Sequence, residues 1–307
     1  MTRKNDSPQV VIAGSIALDT IETQFGKAEN VLGGSASYAG IAAGFFAKAG
    51  IVGIVGNDFP EKYFDFFRGR GIDTGGIEKS SLKTFSWHGR YGFDVNTAET
   101  LKTELNALQE FRPVLPEEYK KADFFFLGNF DPEQQLALLS QMKKKPQLVV
   151  ADTMNYWIES RREKVLEVVK KADICLMNDA EARQLFKTPS LAYAAKKILE
   201  LDSKFAIIKK GENGCILFSK KGWFSAPGYP LETVIDPTGC GDSFAGALIG
   251  YLAKTNSLEE KNFRKAIITA SAVASFNAEG FSLDRLKKIT QKDISGRIKE
   301  FKNITRF

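Results

Sequence analysis

Residues 236–247 read Asp236-Pro237-Thr238-Gly239-Cys240-Gly241-Asp242-Ser243-Phe244-Ala245-Gly246-Ala247, a carboxylate and two glycines at the start of a run of small and apolar residues. Gly239 and Gly241 let a backbone turn tightly and present bare N–H groups to a ligand. A helix that begins there adds the positive end of its dipole, which favours an anion such as a transferring phosphoryl group. A carboxylate beside an anion site does nothing to hold the anion. Asp242 is therefore assigned the acceptance of a proton from an attacking hydroxyl. The competing reading is structural, a Gly-rich turn with Asp242 as the helix cap.

Such a turn needs a rigid frame behind it. Short apolar runs at residues 10–13, 51–55, 124–127, 148–151, 174–177 and 205–208 are predicted as buried strands. Helix-like segments at 133–145, 159–171 and 191–201 fall between them, and 233–235 is expected to be a strand end leading into the turn. This alternation predicts an α/β fold, a mainly parallel sheet with helices on both faces. Ligands of such sheets bind beyond the carboxyl ends of the strands. Residues 16–32 and 84–105 break the rhythm as extended, partly exposed segments without helices. They are expected to pair into a small sheet acting as a lid, an ordinary hairpin being the alternative. No linker or repeat divides the chain, so residues 1–307 are read as one domain.

Composition narrows the function. The chain of 307 residues carries 43 Lys+Arg and 37 Asp+Glu, a formal net charge of +6. The excess is scattered in pairs such as Lys170-Lys171, Lys196-Lys197 and Lys220-Lys221, which points to solvated helix ends rather than a nucleic-acid surface. The uncharged stretch 30–47 is interrupted by Gly33, Gly34, Ser35 and Ser37 and is expected to be a buried loop and helix, not a membrane span. Cys175, Cys215 and Cys240 have no metal-type spacing; with a polar start lacking a signal-peptide core, they point to reduced thiols and a cytoplasmic setting. His88 is the single histidine and is expected on the lid surface, which disfavours any mechanism needing a histidine pair.

The chain holds no Gly-x-x-x-x-Gly-Lys-Ser/Thr phosphate loop. Gly239-x-Gly241 lacks the third glycine of a dinucleotide fingerprint and lies too late in the chain for a nicotinamide oxidoreductase. The segment instead resembles the C-terminal signature of the PfkB, or ribokinase, family of carbohydrate kinases. Four more segments are similar to that family in the expected order: Gly14 to Asp19, Gly33-Gly34-Ser35-Ala36-Ser37, Asn178-Asp179-Ala180-Glu181, and Lys209-Lys210-Gly211-Glu212-Asn213-Gly214.

The resemblance implies a three-layer α/β/α sandwich with a small β lid, ATP as donor and Mg²⁺ as cofactor. It implies Asp242 as base, with Gly239, Cys240 and Gly241 as the anion hole. Asn178 and Glu181 would organise Mg²⁺ and phosphate, in part through water, and Lys209, Gly211, Glu212 and Gly214 would bind the nucleotide. Asp19, Gly33, Gly34, Ser35, Tyr38 and Asn129 would hold the substrate. Asp236 and Thr238 stand where K⁺-binding members supply ligands. A homodimer through the lid is allowed. The expected reaction is phosphoryl transfer to a hydroxyl of a small carbohydrate. Tyr38 replaces an asparagine that many sugar kinases use, and the lid carries Trp87, Tyr91 and Phe93, rings on which a nucleobase stacks. A nucleoside kinase is therefore the first alternative, and a non-catalytic sensor of nucleotide or sugar the second. Asp152-Thr153-Met154-Asn155 and Asn277-Ala278-Glu279-Gly280 are further polar segments near the expected site.

Overall fold

The computed structural model describes residues 7–306. Strand β1 (Val10–Ala13) is followed by β2 (Ala17–Thr23), β3 (Gly26–Gly33), helix α1 (Ser35–Gly44), β4 (Ala49–Val55), α2 (Glu61–Gly69) and β5 (Asp73–Lys79). Next come β6 (Ser86–Tyr91), β7 (Ala98–Glu104), β8 (Phe124–Leu127), α3 (Pro132–Ser140), β9 (Leu148–Ala151), α4 (Asn155–Ser160) and α5 (Arg162–Lys171). The chain continues through β10 (Ile174–Asn178), α6 (Asp179–Phe186), α7 (Leu191–Glu200), β11 (Phe205–Lys209), β12 (Cys215–Ser219) and β13 (Gly222–Ala226). It closes with α8 (Cys240–Thr255), α9 (Glu260–Asn277) and α10 (Gln291–Ile304).

Nine strands form the main sheet in the order β13-β12-β11-β10-β9-β8-β1-β4-β5. It is parallel from β11 to β5, with β12 and β13 added antiparallel at one edge. The strands β1, β8 and β9 are unbroken apolar runs because both of their faces are covered. Alternate residues serve opposite layers. Val10, Ile12, Phe124, Phe126 and Val150 pack with α1, α8 and α9, while Val11, Ala13, Phe125, Leu127 and Val149 face α3 and α5. Further along, Met177 and Ile208 meet α6 and α7. The result is the three-layer sandwich expected from the strand and helix rhythm.

The small sheet has the order β3-β2-β6-β7. Strand β2 pairs antiparallel with β3 and parallel with β6, so residues 16–32 and 84–105 do come together as anticipated. Its outer face holds His88 against Glu22 at 2.9 Å, with Arg90 on the same carboxylate.

Three local expectations are corrected. Residues 233–235 form no strand; the Ile235 N–H is instead bound to the Ala278 carbonyl at 2.8 Å, which ties this loop to the end of α9. The helix expected over 133–145 stops at Ser140, and Lys143 is held instead by its N–H to the Lys120 carbonyl at 2.9 Å. The helix expected over 159–171 is two helices, broken at Arg161, which takes φ −142° and reaches Glu133 at 2.9 Å. The stretch 30–47 folds as the buried end of β3 and α1, and no described helix is long and apolar enough to cross a membrane.

Helices α1 and α8 lie in backbone contact. A Cβ on Gly246 would stand 2.1 Å from the Ala39 carbonyl oxygen, and one on Gly250 2.8 Å from Ala43 Cα. Gly69, also helical, has nothing within 4 Å of such an atom. Gly246→Ala is expected to lose about 1–3 kcal/mol because the helices must separate, while Gly69→Ala is expected to gain about 0.5–1 kcal/mol from lower unfolded-state entropy. Denaturant melts of the two variants check this; a Gly246→Ala protein as stable as wild type would show that the helices are not tightly opposed.

Candidate active site

The site is built where the first turn of α8 meets the carboxyl ends of the central strands. Gly239 is the residue before the helix and adopts φ 73°, in the left-handed region. A side chain there would collide with the Tyr38 ring, since an added Cβ would lie 2.4 Å from it. Tyr38 is buried, with the Ser282 hydroxyl as the polar neighbour of its own hydroxyl. It therefore lies beneath the turn as a support, with burial, Asp236 and Asp19 pushing its phenol well above the usual range. Within the turn the Cys240 N–H goes to the Pro237 carbonyl and the Ser243 N–H to Gly239. The N–H groups of Gly241 and Asp242 have no backbone acceptor among the described residues; the Asp242 N–H lies against its own carboxylate, and the Gly241 N–H is the one left, as expected of a helix start open to an anion.

Asp242 stands three residues into α8, and the helix start carries no side-chain cap. The capping reading of Asp242 is thus not what the geometry shows. Burial, followed by repulsion from Asp152, pushes its carboxyl up to about 7, opposed by the Lys209 ammonium. Lys209, at the end of β11, reaches over the end of β10 to Asp152, after β9, with Nζ–Oδ2 at 2.7 Å. An added Cβ on Gly241 would lie 3.3 Å from that Nζ, so the ammonium abuts the turn. Burial lowers the Lys209 pKa, but Asp152 and Glu181 outweigh it and the net shift is upward.

Asn178 and Glu181 meet in a capping box at the start of α6. The Glu181 N–H donates to Asn178 Oδ1 at 2.8 Å, and the Asn178 N–H donates to Glu181 Oε2 at 2.7 Å. Both side chains therefore have a structural duty, which leaves Glu181 Oε1 outside the box. Burial, then Asp152, raises the Glu181 carboxyl well above its ordinary range.

On the lid side Asp19 is buried, with Oδ1 accepting the Trp87 N–H at 3.1 Å. Burial raises its carboxyl to about 7, the Trp87 and Gly34 N–H groups pulling down and Asp236 and Asp242 pushing up. Gly33 leaves room for this carboxylate, since an added Cβ would lie 1.9 Å from Oδ2. Gly34 takes φ 88° against the Ser15 carbonyl. Ser35 is exchanged with Ser15 through N–H to Oγ bonds of 3.1 Å in both directions, so it locks the turn that carries these glycines. Asn129 follows β8; its amide donates to Met154 Sδ, and its buried Oδ1 has no partner among the described residues.

Asp236 is fully buried and receives the Thr238 N–H at 2.8 Å and the Ser282 N–H at 2.9 Å. Thr238 donates from Oγ1 to the Tyr91 hydroxyl at 3.3 Å, joining the lid to the turn. Asn277, after α9, donates to the Thr238 carbonyl at 2.7 Å. Gly211 takes φ 55°, and the tip of the β6–β7 hairpin rests on it: an added Cβ would lie 1.9 Å from Asn96 Oδ1. Glu212 is exposed, and Gly214 takes φ 76° against the Ala226 carbonyl. Phe93 is wholly exposed and so contributes nothing to the lid's inner face. Asp152, Asn96 and the Tyr91–Thr238 link were not singled out by motif. Only the strand-end position of Asp152 signalled it.

These buried carboxylates set the pH dependence of stability. Asp19 and Asp242 hold protons up to about 7 in the folded state against an ordinary value of 3.8, and Glu181 is shifted the same way. Between those limits the native state binds more protons than the unfolded chain, so stability falls as pH rises and levels off above neutrality. Denaturant midpoints are expected to be higher at pH 5.5 than at pH 8, with Asp242→Asn flattening the slope. A midpoint that climbs over this interval would contradict the burial of these groups.

Comparison with known proteins agrees with this geometry. The model of the pfkB family carbohydrate kinases matches residues 9–285. A cytidine kinase of Thermococcus kodakarensis is 28% identical over 258 residues, spanning 82% of this chain and 91% of that protein. Fructokinase-2 of Zea mays is 34% identical over 119 residues, spanning 37% of this chain and 35% of its own length. The fold is shared with the nucleoside kinase of Methanocaldococcus jannaschii at a TM-score of 0.77 and 20% identity, over 96% of this chain and 99% of that one. The chain belongs to the pfkB family of carbohydrate kinases and is a phosphotransferase with an alcohol group as acceptor.

Proposed function

We propose that the protein transfers the γ-phosphoryl group of ATP to a hydroxyl on the sugar of a nucleoside. The observation that carries the nucleoside is the inner face of the lid. Trp87, Gly89 and Tyr91 alternate onto one side of β6. The Trp87 ring lies across Gly89, where an added Cβ would meet it at 1.9 Å, and stands edge-on to Tyr91 at 6.4 Å. This places a flat aromatic surface beside Asp19, whose carboxylate is held by the same strand. A base stacked on Trp87 would bring its sugar toward Asp19. The relative of similar length being a cytidine kinase supports the same reading.

In this reading Asp19, poised near neutrality, exchanges hydrogen bonds with sugar hydroxyls. The acceptor oxygen attacks the γ-phosphorus, its proton passes to Asp242, and ADP leaves. The Gly241 N–H faces the charge that develops on the phosphoryl oxygens. Among the described residues no three His, Cys, Asp or Glu side chains form a metal cage. An ion carried largely on substrate phosphates needs only one or two carboxylates, and Glu181, with Oε1 outside its capping box, fits Mg²⁺ through water. Bound Mg²⁺ would neutralise phosphate charge. The buried Asp236 carboxylate, which meets N–H donors but no cation among the described residues, suits K⁺ with Thr238 beside it.

The second reading is a free sugar acceptor, favoured by the 34% identity to a fructokinase over 119 residues. ADP release measured with cytidine, uridine, adenosine, inosine, ribose and fructose separates the two. Nucleosides are expected to win in kcat/KM, and Trp87→Ala to lower kcat/KM for the best nucleoside by roughly 10–100-fold, the worth of one stacking contact. Fructose turnover with inert nucleosides would select the second reading, and ADP formation with no acceptor tested would favour the sensor.

Asp242→Asn keeps the shape and removes the basicity. It is expected to lower kcat by about 10²–10⁴ while the protein melts at or above the wild-type temperature, since an unfavourable buried charge is gone. Wild-type activity should rise with pH toward a plateau above about 7, where Asp242 is ionised. A normally melting variant with full kcat would remove Asp242 from the base role.

A further inference from the structure

The charges around the α8 turn are unbalanced. Asp152, Glu181 and Asp242 converge there from three different elements, and the positive group that both Glu181 and Asp242 sense is Lys209. Its ammonium is mostly shielded, at 17% exposure, and its partner Asp152 is almost fully so, at 5%. A buried ion pair of this kind is weak evidence for stability, because desolvating both groups costs about what their attraction returns. A role beyond folding has to be sought in where the ammonium lies.

Lys209 ends β11, while the nucleotide-loop glycines Gly211 and Gly214 lie beyond it against Asn96 and Ala226. The side chain does not follow that loop. It runs across the end of β10 to Asp152 and stops against Gly241, inside the turn where that residue's N–H is open to an anion. A phosphoryl group entering this turn would face three carboxylates, and Lys209 is the side-chain cation already in contact with the turn.

We propose that Lys209 is a catalytic residue of the phosphoryl-transfer step, its ammonium binding the transferring group at the α8 turn, and that Asp152 is the positioning residue that holds it there. This rests on the kinase reading and assigns Lys209 to the reacting phosphoryl rather than to resting nucleotide. Asp152 positions Lys209, and its direct repulsion of Asp242 is a separate effect that raises that carboxyl. The Asp152 carboxylate anchors a long flexible side chain whose free rotamers would otherwise disperse the charge.

The test is steady-state ADP formation by the full chain with ATP, Mg²⁺ and its best acceptor, in wild type, Lys209→Met, Lys209→Arg, Asp152→Asn and the double variant Lys209→Met/Asp152→Asn. Loss of one preorganised charge donor costs about 10²–10³ in kcat. Lys209→Met is expected to show that loss, with the KM for ATP changed by less than about threefold. Lys209→Arg should recover at least about tenfold over Lys209→Met. Asp152→Asn should lose about tenfold in kcat in the wild-type background and nothing further beside Lys209→Met, and should move the pH–rate midpoint down as its repulsion of Asp242 is removed. A merely structural ion pair would couple in the denaturant midpoint and leave kcat and the pH profile unchanged. Should the single Lys209→Met variant fail to fold because Asp152 is left buried and unpaired, the double variant removes both charges and is expected to show the same loss of kcat. A raised KM for ATP at unchanged kcat would overturn the proposal, as would additive losses. Wild-type turnover matched by the double variant sinks this inference alone, whereas no turnover by wild type on any acceptor removes the kinase reading with it.

Discussion

The near-contact of helices α1 and α8 governs the candidate site, because both begin in the turns that carry its glycines and lie beside its buried carboxylates. Gly246 and Gly250 let the two backbones close to a distance no side chain could share. Helix α1 starts at Gly34-Ser35 beside Asp19, and α8 starts at Gly239 beside Asp242. Tyr38 then fits under Gly239, so that one helix carries a prop for the other's first turn. Dense interiors transmit such constraints without slack. The turn at Gly34 and the turn at Gly239, remote in sequence, are thereby set against each other by apolar packing instead of by loop structure.

Exclusion of water is the second consequence of that packing. Burial raises Asp19 and Asp242 to about 7, which destabilises the folded protein and at the same time suits the chemistry. A general base works best with a pKa near the working pH, and a carboxyl near neutrality can donate as well as accept a hydrogen bond. The same low-dielectric setting gives the Lys209–Asp152 pair its influence on the neighbouring carboxylates. Ordinary residues have become unusual acids here because of position alone.

One hairpin connects the parts. Strand β6 gives its Trp87 N–H to Asp19 and receives at Tyr91 the hydroxyl proton of Thr238, and the turn before β7 sets Asn96 on Gly211. The lid therefore meets Asp19, the Thr238–Gly239 turn and the Gly211 loop together.

The α/β rhythm, the glycine turn at the start of α8 and the extended segments of the small sheet were legible in the residues themselves. Apolar four-residue runs such as 124–127 leave little choice but a doubly covered strand, and glycines beside Asp242 at a helix start announce a turn that must approach a ligand. These are local properties, written in consecutive residues. The breaks at Ser140 and Arg161 were not, because they follow from partners, Lys120 and Glu133, that another part of the chain supplies. Nor was the division of labour among the polar side chains. In sequence, Asn178, Glu181, Ser35 and Tyr38 are candidates for ligand contact; in space they first complete a capping box, lock a turn and support a glycine. Asp152 was only a polar residue after a strand until β10 placed Lys209 within 2.7 Å of it. Sequence determined which groups were available, and the tertiary structure decided which are buried together, because desolvation and charge pairing depend on neighbours that only the fold brings into reach.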